Sequence, residues 1–130
     1  MQNLDTWYAY FHVRGCFDPD EITRRLGVKG TKVARAGDAV SRTSKKRPCS
    51  RWELHSRLGT SASLDEHVKD VLDQLDANKA AFEEVSSSFG GTMQLVGYFR
   101  DVNPGVHFES EIVRRIAQYG LEIDCDFYNG

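Results

Sequence analysis

Apolar residues fall along this chain in two rhythms, and the switches between them mark its elements. Trp7–Arg14 alternates Trp7, Ala9, Phe11 and Val13 with Tyr8, Tyr10, His12 and Arg14, a period of two that predicts a strand. The same alternation returns in Trp52, Leu54, Ser56 and Leu58 against Arg51, Glu53, His55 and Arg57. It recurs in Thr92–Arg100, and again in Leu121, Ile123, Cys125 and Phe127 against Glu122, Asp124, Asp126 and Tyr128. Thr31–Ala36 is a shorter strand candidate. Gly97, inside its strand, marks a bulge or a close backbone approach.

Between strands the period lengthens. Ser63–Phe89 carries Leu64, Val68, Val71, Leu72, Leu75, Phe82, Val85 and Phe89 on one helical stripe, wide enough to cover a sheet face. Ser63 and Glu66 read as a capping box, and Asp76-Ala77-Asn78 lacks apolar residues and contains two capping types, which predicts two helices with a kink near Asn78. A shorter helix follows the first strand: Asp18 caps it, Pro19 takes its first position, Glu21 completes a capping-box-like pair, and Gly27 stops it. Ile22 and Leu26 face inward. A third helix, Glu109–Tyr119, presents Ile112, Val113 and Ile116. Val40–Ser50 has no period and reads as a mobile loop, and Asn103-Pro104-Gly105 fits a tight turn.

The order is therefore βαββαβαβ. Its first six elements match a ferredoxin-like βαββαβ sandwich, and a further αβ unit adds a fifth strand. The expected class is α+β, a mostly antiparallel five-stranded sheet with the helices on one face. No repeat or linker divides residues 1–130, so one domain is expected.

Composition narrows the function classes more than it selects one. Apolar residues at 40% and charged residues at 28% are ordinary globular values, sufficient for a core without disulfide or metal. A net charge of −2 argues against a general nucleic-acid or acidic-membrane binder. No apolar run follows Met1-Gln2-Asn3-Leu4-Asp5, so neither a signal peptide nor a membrane span is expected. Three cysteines, Cys16, Cys49 and Cys125, are an odd number at unrelated spacings. They read as reduced thiols in a cytoplasm.

Helices on one face leave the other to the second set of alternating residues. Tyr8, Tyr10, His12, Arg14, His55, Tyr98, Arg100, Asp124, Asp126 and Tyr128 are the candidate partner-binding residues, with Arg51, Glu53 and Arg57 beside them. Tyrosine and arginine combine apolar area with directed hydrogen bonds and dominate interface energetics. A solvated face with cross-strand ion pairs is the bland alternative, each pair contributing ~0–1 kcal/mol; a homodimer is a third. Asp124 and Asp126, with Glu122 and either His12 or His55, are the residues for a metal-dependent enzyme. Pairing of those acids with Arg14, Arg51, Arg57 or Arg100 is preferred. The basic stretch Arg42–Arg51 is the place for phosphate contacts, yet no aromatic residue is interleaved there, and a solvated loop is preferred. His67 and His107 lie at no metal spacing, and no nucleophile, redox or phosphate-cradling motif is present.

Several of these pieces in order resemble a known family. They are the aromatic first strand; Asp18-Pro19-Asp20-Glu21-Ile22-Thr23 leading to Leu26-Gly27; Gly37-Asp38; Trp52 with Leu54; Ser63-Leu64-Asp65-Glu66-His67; and Ile123-Asp124 with Asp126 and Tyr128. Together they resemble small bacterial proteins known as domain of unknown function 4279, with Val28-Lys29-Gly30 departing from a proline expected ahead of Thr31. The resemblance implies a bacterial, soluble, single-domain protein and carries over no catalytic residue, cofactor or metal. The expected role is a non-catalytic protein-interaction module on the helix-free sheet face, immunity-protein-like by association with small orphan bacterial domains. The partner expected is another protein, with a homodimer as an option, and neither membrane nor nucleic acid is expected.

Overall fold

The computed structural model of the chain describes residues 5–40, 42–100 and 104–129. Elements follow in the order β1 (Thr6–Gly15), α1 (Pro19–Leu26), β2 (Lys32–Ala34), β3 (Ser50–His55), α2 (Leu64–Asp76), α3 (Lys79–Phe89), β4 (Thr92–Phe99), α4 (Ser110–Gln118) and β5 (Glu122–Asn129). They build one five-stranded sheet, ordered β2-β3-β1-β4-β5. Pairing is antiparallel throughout except for β4 with β5, which are parallel and joined through α4. The α+β class expected from the alternation is the class observed. Asn103 and the first four residues, on which two expectations rested, lie outside the described residues.

Strand β1 sits at the centre, with Val13 opposite Trp52 of β3 and Phe11 opposite both Leu54 of β3 and Met93 of β4. Its Ala9, Phe11 and Val13 are wholly buried against Trp52, Leu54, Met93 and Leu95 and the helical stripe Val68, Val71, Leu72, Leu75, Phe82 and Val85. Apolar burial of this kind is the main favourable term, at about 1.5–3 kcal/mol for each large side chain. Phe11 meets Phe82 edge-on with centroids 5.5 Å apart. The one polar atom of Trp52 is satisfied, Nε1 donating to Thr23 Oγ1 of α1 at 3.1 Å, as a buried indole requires.

Helix ends follow their capping chemistry. Asp18 Oδ1 accepts from the Asp20 amide at 2.9 Å, and Gly27, at φ 72°, ends α1 with its N–H on the Thr23 carbonyl. Glu21 turns instead to Arg24, so the second capping-box-like pair does not form. Glu66 Oε1 accepts from both the amide and the hydroxyl of Ser63, at 3.0 and 2.7 Å. The long stretch divides into two helices near Asn78, as expected: α2 stops at Asp76, α3 starts at Lys79, and Asn78 between them donates Nδ2 to the Leu26 carbonyl at 3.0 Å. That bond satisfies one of the carbonyls α1 leaves open at its end.

Several inward assignments fail, those on β5 because the helix layer is narrower than the sheet. Helix α4 packs on α2 and not over β5. Ile123, Cys125 and Phe127 are therefore exposed, with Ile123 at 51%. Val113 faces outward from α4, and Leu58 lies past the end of β3 in the open. Arg57, also past β3, pairs with Asp70 of α2 at 2.7 Å and leaves the helix-free face. Among the described residues of the expected loop, Ala39 bridges Lys46, and the Val40 amide donates to the Lys45 carbonyl at 2.9 Å.

At Gly97 the ladder is unbroken, since Trp7 pairs with Gly97 and Tyr8 with Val96. The glycine marks a close approach: a Cβ there would collide with the Trp7 ring, itself held against Phe99 and Phe127. Gly97→Ala should therefore cost about 1–3 kcal/mol of stability in urea denaturation through overpacking. Trp7→Leu in the same chain should recover part of that loss; an unchanged midpoint in Gly97→Ala would show that the ring gives way freely.

Candidate interaction surface

Alternation in each strand sends one set of side chains away from the helices. β1 contributes Tyr8, Tyr10, His12 and Arg14; β3 contributes Arg51, Glu53 and His55. β4 contributes Thr92, Gln94, Val96 and Tyr98; β5 contributes Glu122, Asp124, Asp126 and Tyr128. The centre of this face is not a solvated plate. His12, Glu53, Gln94 and Val96 are only 7%, 8%, 3% and 3% exposed, although no helix lies over them.

One carboxylate organises the middle of the face. Glu53 Oε2 accepts from Arg51 Nε at 2.5 Å, and its Oε1 accepts from His55 Nε2 at 2.7 Å. Burial would raise the Glu53 carboxyl, but the His55 hydrogen bond and the Arg51 guanidinium outweigh it and hold the group below the usual range. Arg51 then reaches on, donating Nη2 to the Tyr10 hydroxyl at 3.3 Å. His55 lies flat on Tyr10, with centroids 4.4 Å apart and planes 8° from parallel, and stacks at 6.0 Å on Tyr8. Tyr98 and Tyr128 form a second stacked pair at 4.9 Å. Burial raises the hydroxyl pKa of both Tyr8 and Tyr10. The result is a stripe of flat rings fixed at their bases and open at their outer faces.

His12 lies in the floor. Its Nδ1 is buried and has no hydrogen-bond partner among the described residues. Burial, and next the nearby Arg51 charge, lower its pKa to about 4, so the ring is neutral at pH 7.

The remaining candidates separate. Asp126 accepts from the Gln94 amide at 3.1 Å, and the Asp124 carbonyl accepts from the same amide at 3.2 Å. Neither carboxylate pairs with an arginine among the described residues; Arg51 is committed to Glu53, Arg57 to Asp70, and Arg14 lies beside Arg51. Arg100 follows β4 and gives its amide to Asp5 Oδ1 at 3.2 Å. No group of three or more His, Cys, Asp or Glu gathers to hold a metal among the described residues: His55 turns to Glu53, and His12 stands two strands from β5. His67 is wholly buried in α2, its Nδ1 2.7 Å from Ser56 Oγ, a tie between α2 and the end of β3.

Two residues outside the expected set join the face. Lys32 of β2 stands opposite Glu53, and with Arg47, Arg51, Glu53, Val33 and Ala34 it lines an open depression of about 370 Å³. The alternation of Lys32 with Val33 was the available signal; nothing local in the sequence placed Arg47 there.

An α+β protein with one helix-covered face and one aromatic, charge-rich bare face is the class this geometry defines. Residues 5–130 match the family described as Domain of unknown function (DUF4279), and the chain belongs to that family. Neither curated proteins nor solved structures give a match. No helix among the described residues is long and apolar enough to cross a membrane.

The neutral, buried His12 makes stability depend on pH. An unfolded chain takes up its proton near 6.5 and the folded chain only near 4, so stability is full above the first value and falls as pH drops towards the second. The loss is on the order of 3 kcal/mol at the bottom of that window. His12→Leu should remove most of this slope in denaturation curves taken from pH 7 to pH 4. A residual slope should remain from His67, whose pKa burial also lowers. Equal slopes in both proteins would place the acid sensitivity elsewhere.

Proposed function

We propose that this chain is a non-catalytic interaction module that holds another protein chain on its helix-free sheet face. The observation that carries this reading is the ring stripe: Tyr8, Tyr10 and His55 in one stack and Tyr98 with Tyr128 in a second, on a face no helix covers. Tyr98 and Tyr128 remain 43% and 48% exposed. Rings already stacked lose little conformational freedom when a partner docks, so their apolar area goes into affinity. The Arg51–Glu53–His55 network supports them from below, as anchors at the centre of an interface require.

Chemistry on this face has no comparable support. The carboxylate with the strongest surroundings, Glu53, is held ionised by two partners, and of β5's acids Asp126 is bonded, among the described residues, only to a neutral amide.

The tagged chain, crosslinked in extract of its own host cell, should recover a protein partner, whether a different protein or a second copy of the chain. Tyr98→Ala and Tyr10→Ala should each reduce recovery by more than about tenfold, the scale of an interface hot spot. Tyr98→Ala should leave the melting temperature unchanged. Equal recovery with both variants, or none with the wild type, would overturn the reading.

A further inference from the structure

Charge on the helix-free face is distributed antisymmetrically about its central strand. On one side of β1, the depression over β2 and β3 carries Lys32, Arg47 and Arg51, with Glu53 as its only acid among the described residues. On the other side, β5 presents Glu122, Asp124 and Asp126, and neither β4 nor β5 contains a lysine or arginine. Among the described residues neither end is compensated: Lys32 and Arg47 make no ion pair, and neither do the three acids of β5.

The cross-strand register ties the two ends into one row. Lys32 is opposite Glu53, Glu53 opposite His12, His12 opposite Thr92, and Thr92 opposite Glu122. A cation therefore opens the row and an anion closes it, with β1 at the middle.

We propose that the helix-free face closes on a second copy of this chain about a two-fold axis running along β1. Such an axis reverses the row, setting Lys32 and Arg47 of each copy over the acids of the other's β5, twice per dimer. It also brings the Tyr8 and Tyr10 rings at the centre onto their own counterparts. An isologous interface must be self-complementary, and an antisymmetric charge pattern has that property about this axis. The other two-fold arrangements lack it. An axis across the strands lays β5 on β5, acid on acid. Edge-to-edge pairing of β5 with β5 sets Asp124 and Asp126 against the same residues, which like charges oppose. The footprint suits a modest specific dimer: strands of 10, 3, 6, 8 and 8 residues, at ~3.3 Å per residue and ~4.8 Å between strands, give a plate of roughly 550 Å² before surface corrugation is counted.

This inference rests on the interaction reading above, and names its partner. The test uses charge reversal at exposed positions, Lys32→Glu with Arg47→Glu in one protein and Glu122→Lys with Asp124→Lys in another. Sedimentation of the wild type should give twice the 14.7 kDa chain mass, weakening as salt rises. Each double variant should self-associate more than about tenfold more weakly. An equimolar mixture of the two should recover the dimer, because each then meets opposite charge at both ends. Circular dichroism of each variant alone checks its fold. A wild-type dimer indifferent to both reversals would overturn the proposed geometry. A monomeric wild type, with a different partner still lost in Tyr10→Ala and Tyr98→Ala, would overturn the second copy and leave the interaction reading standing. A monomeric wild type with no tyrosine-dependent partner would overturn both.

Discussion

The double ladder of β1, bonded to β3 on one edge and β4 on the other, is the constraint on which the remaining structure depends. Its register places Phe11 between Leu54 and Met93, so three strands offer one continuous apolar surface. Helices α2 and α3 close over that surface. Shifting any one strand by a single residue would exchange its two faces, exposing the core set and burying the tyrosines. Both layers of the protein, the packed one and the bare one, are consequences of the same pairing.

Glu53 is the second constraint, and it acts on the opposite face. A buried carboxylate is costly alone and acceptable when its oxygens are paired. Here one oxygen fixes Arg51 and the other fixes His55, and those two in turn hold Tyr10 from its hydroxyl and from its ring face. The same residue that makes the face polar thereby makes its aromatic surface rigid. In this arrangement the charges satisfy one another.

The architecture was largely legible along the chain, since alternation and helical stripes both arise from burial on one side. The break at Asn78 was legible too, although its tie to the Leu26 carbonyl was not, because that contact joins residues 52 apart in sequence. Misassignments cluster where coverage depends on the relative width of two layers. Ile123, Phe127 and Val113 have the apolar period, but the period cannot say where the helices run out. The candidate face was legible as a set of residues and not as an arrangement. Arg14, Arg57 and Arg100 looked equally suited to pair with Asp124 and Asp126, and the pairs formed elsewhere or not at all. Burial of His12 and Gln94 under neighbouring side chains has no local signature whatever. Arg47 lines the face from beside the Ala39–Lys46 bridge, a placement that a stretch without periodicity does not announce.

β5 also shields its neighbour. It is exposed at every residue and bonded along one edge only, so it has the least to lose in a local opening event. Its neighbour β4 has the opposite character, with Met93, Leu95 and Val96 buried and Tyr98 its only exposed side chain. When β5 frays, the most apolar strand in the sheet becomes its margin, and a bare apolar margin is a template for aggregation. The acidic edge strand therefore covers a margin that its own detachment, short of any loss of the core, would lay bare.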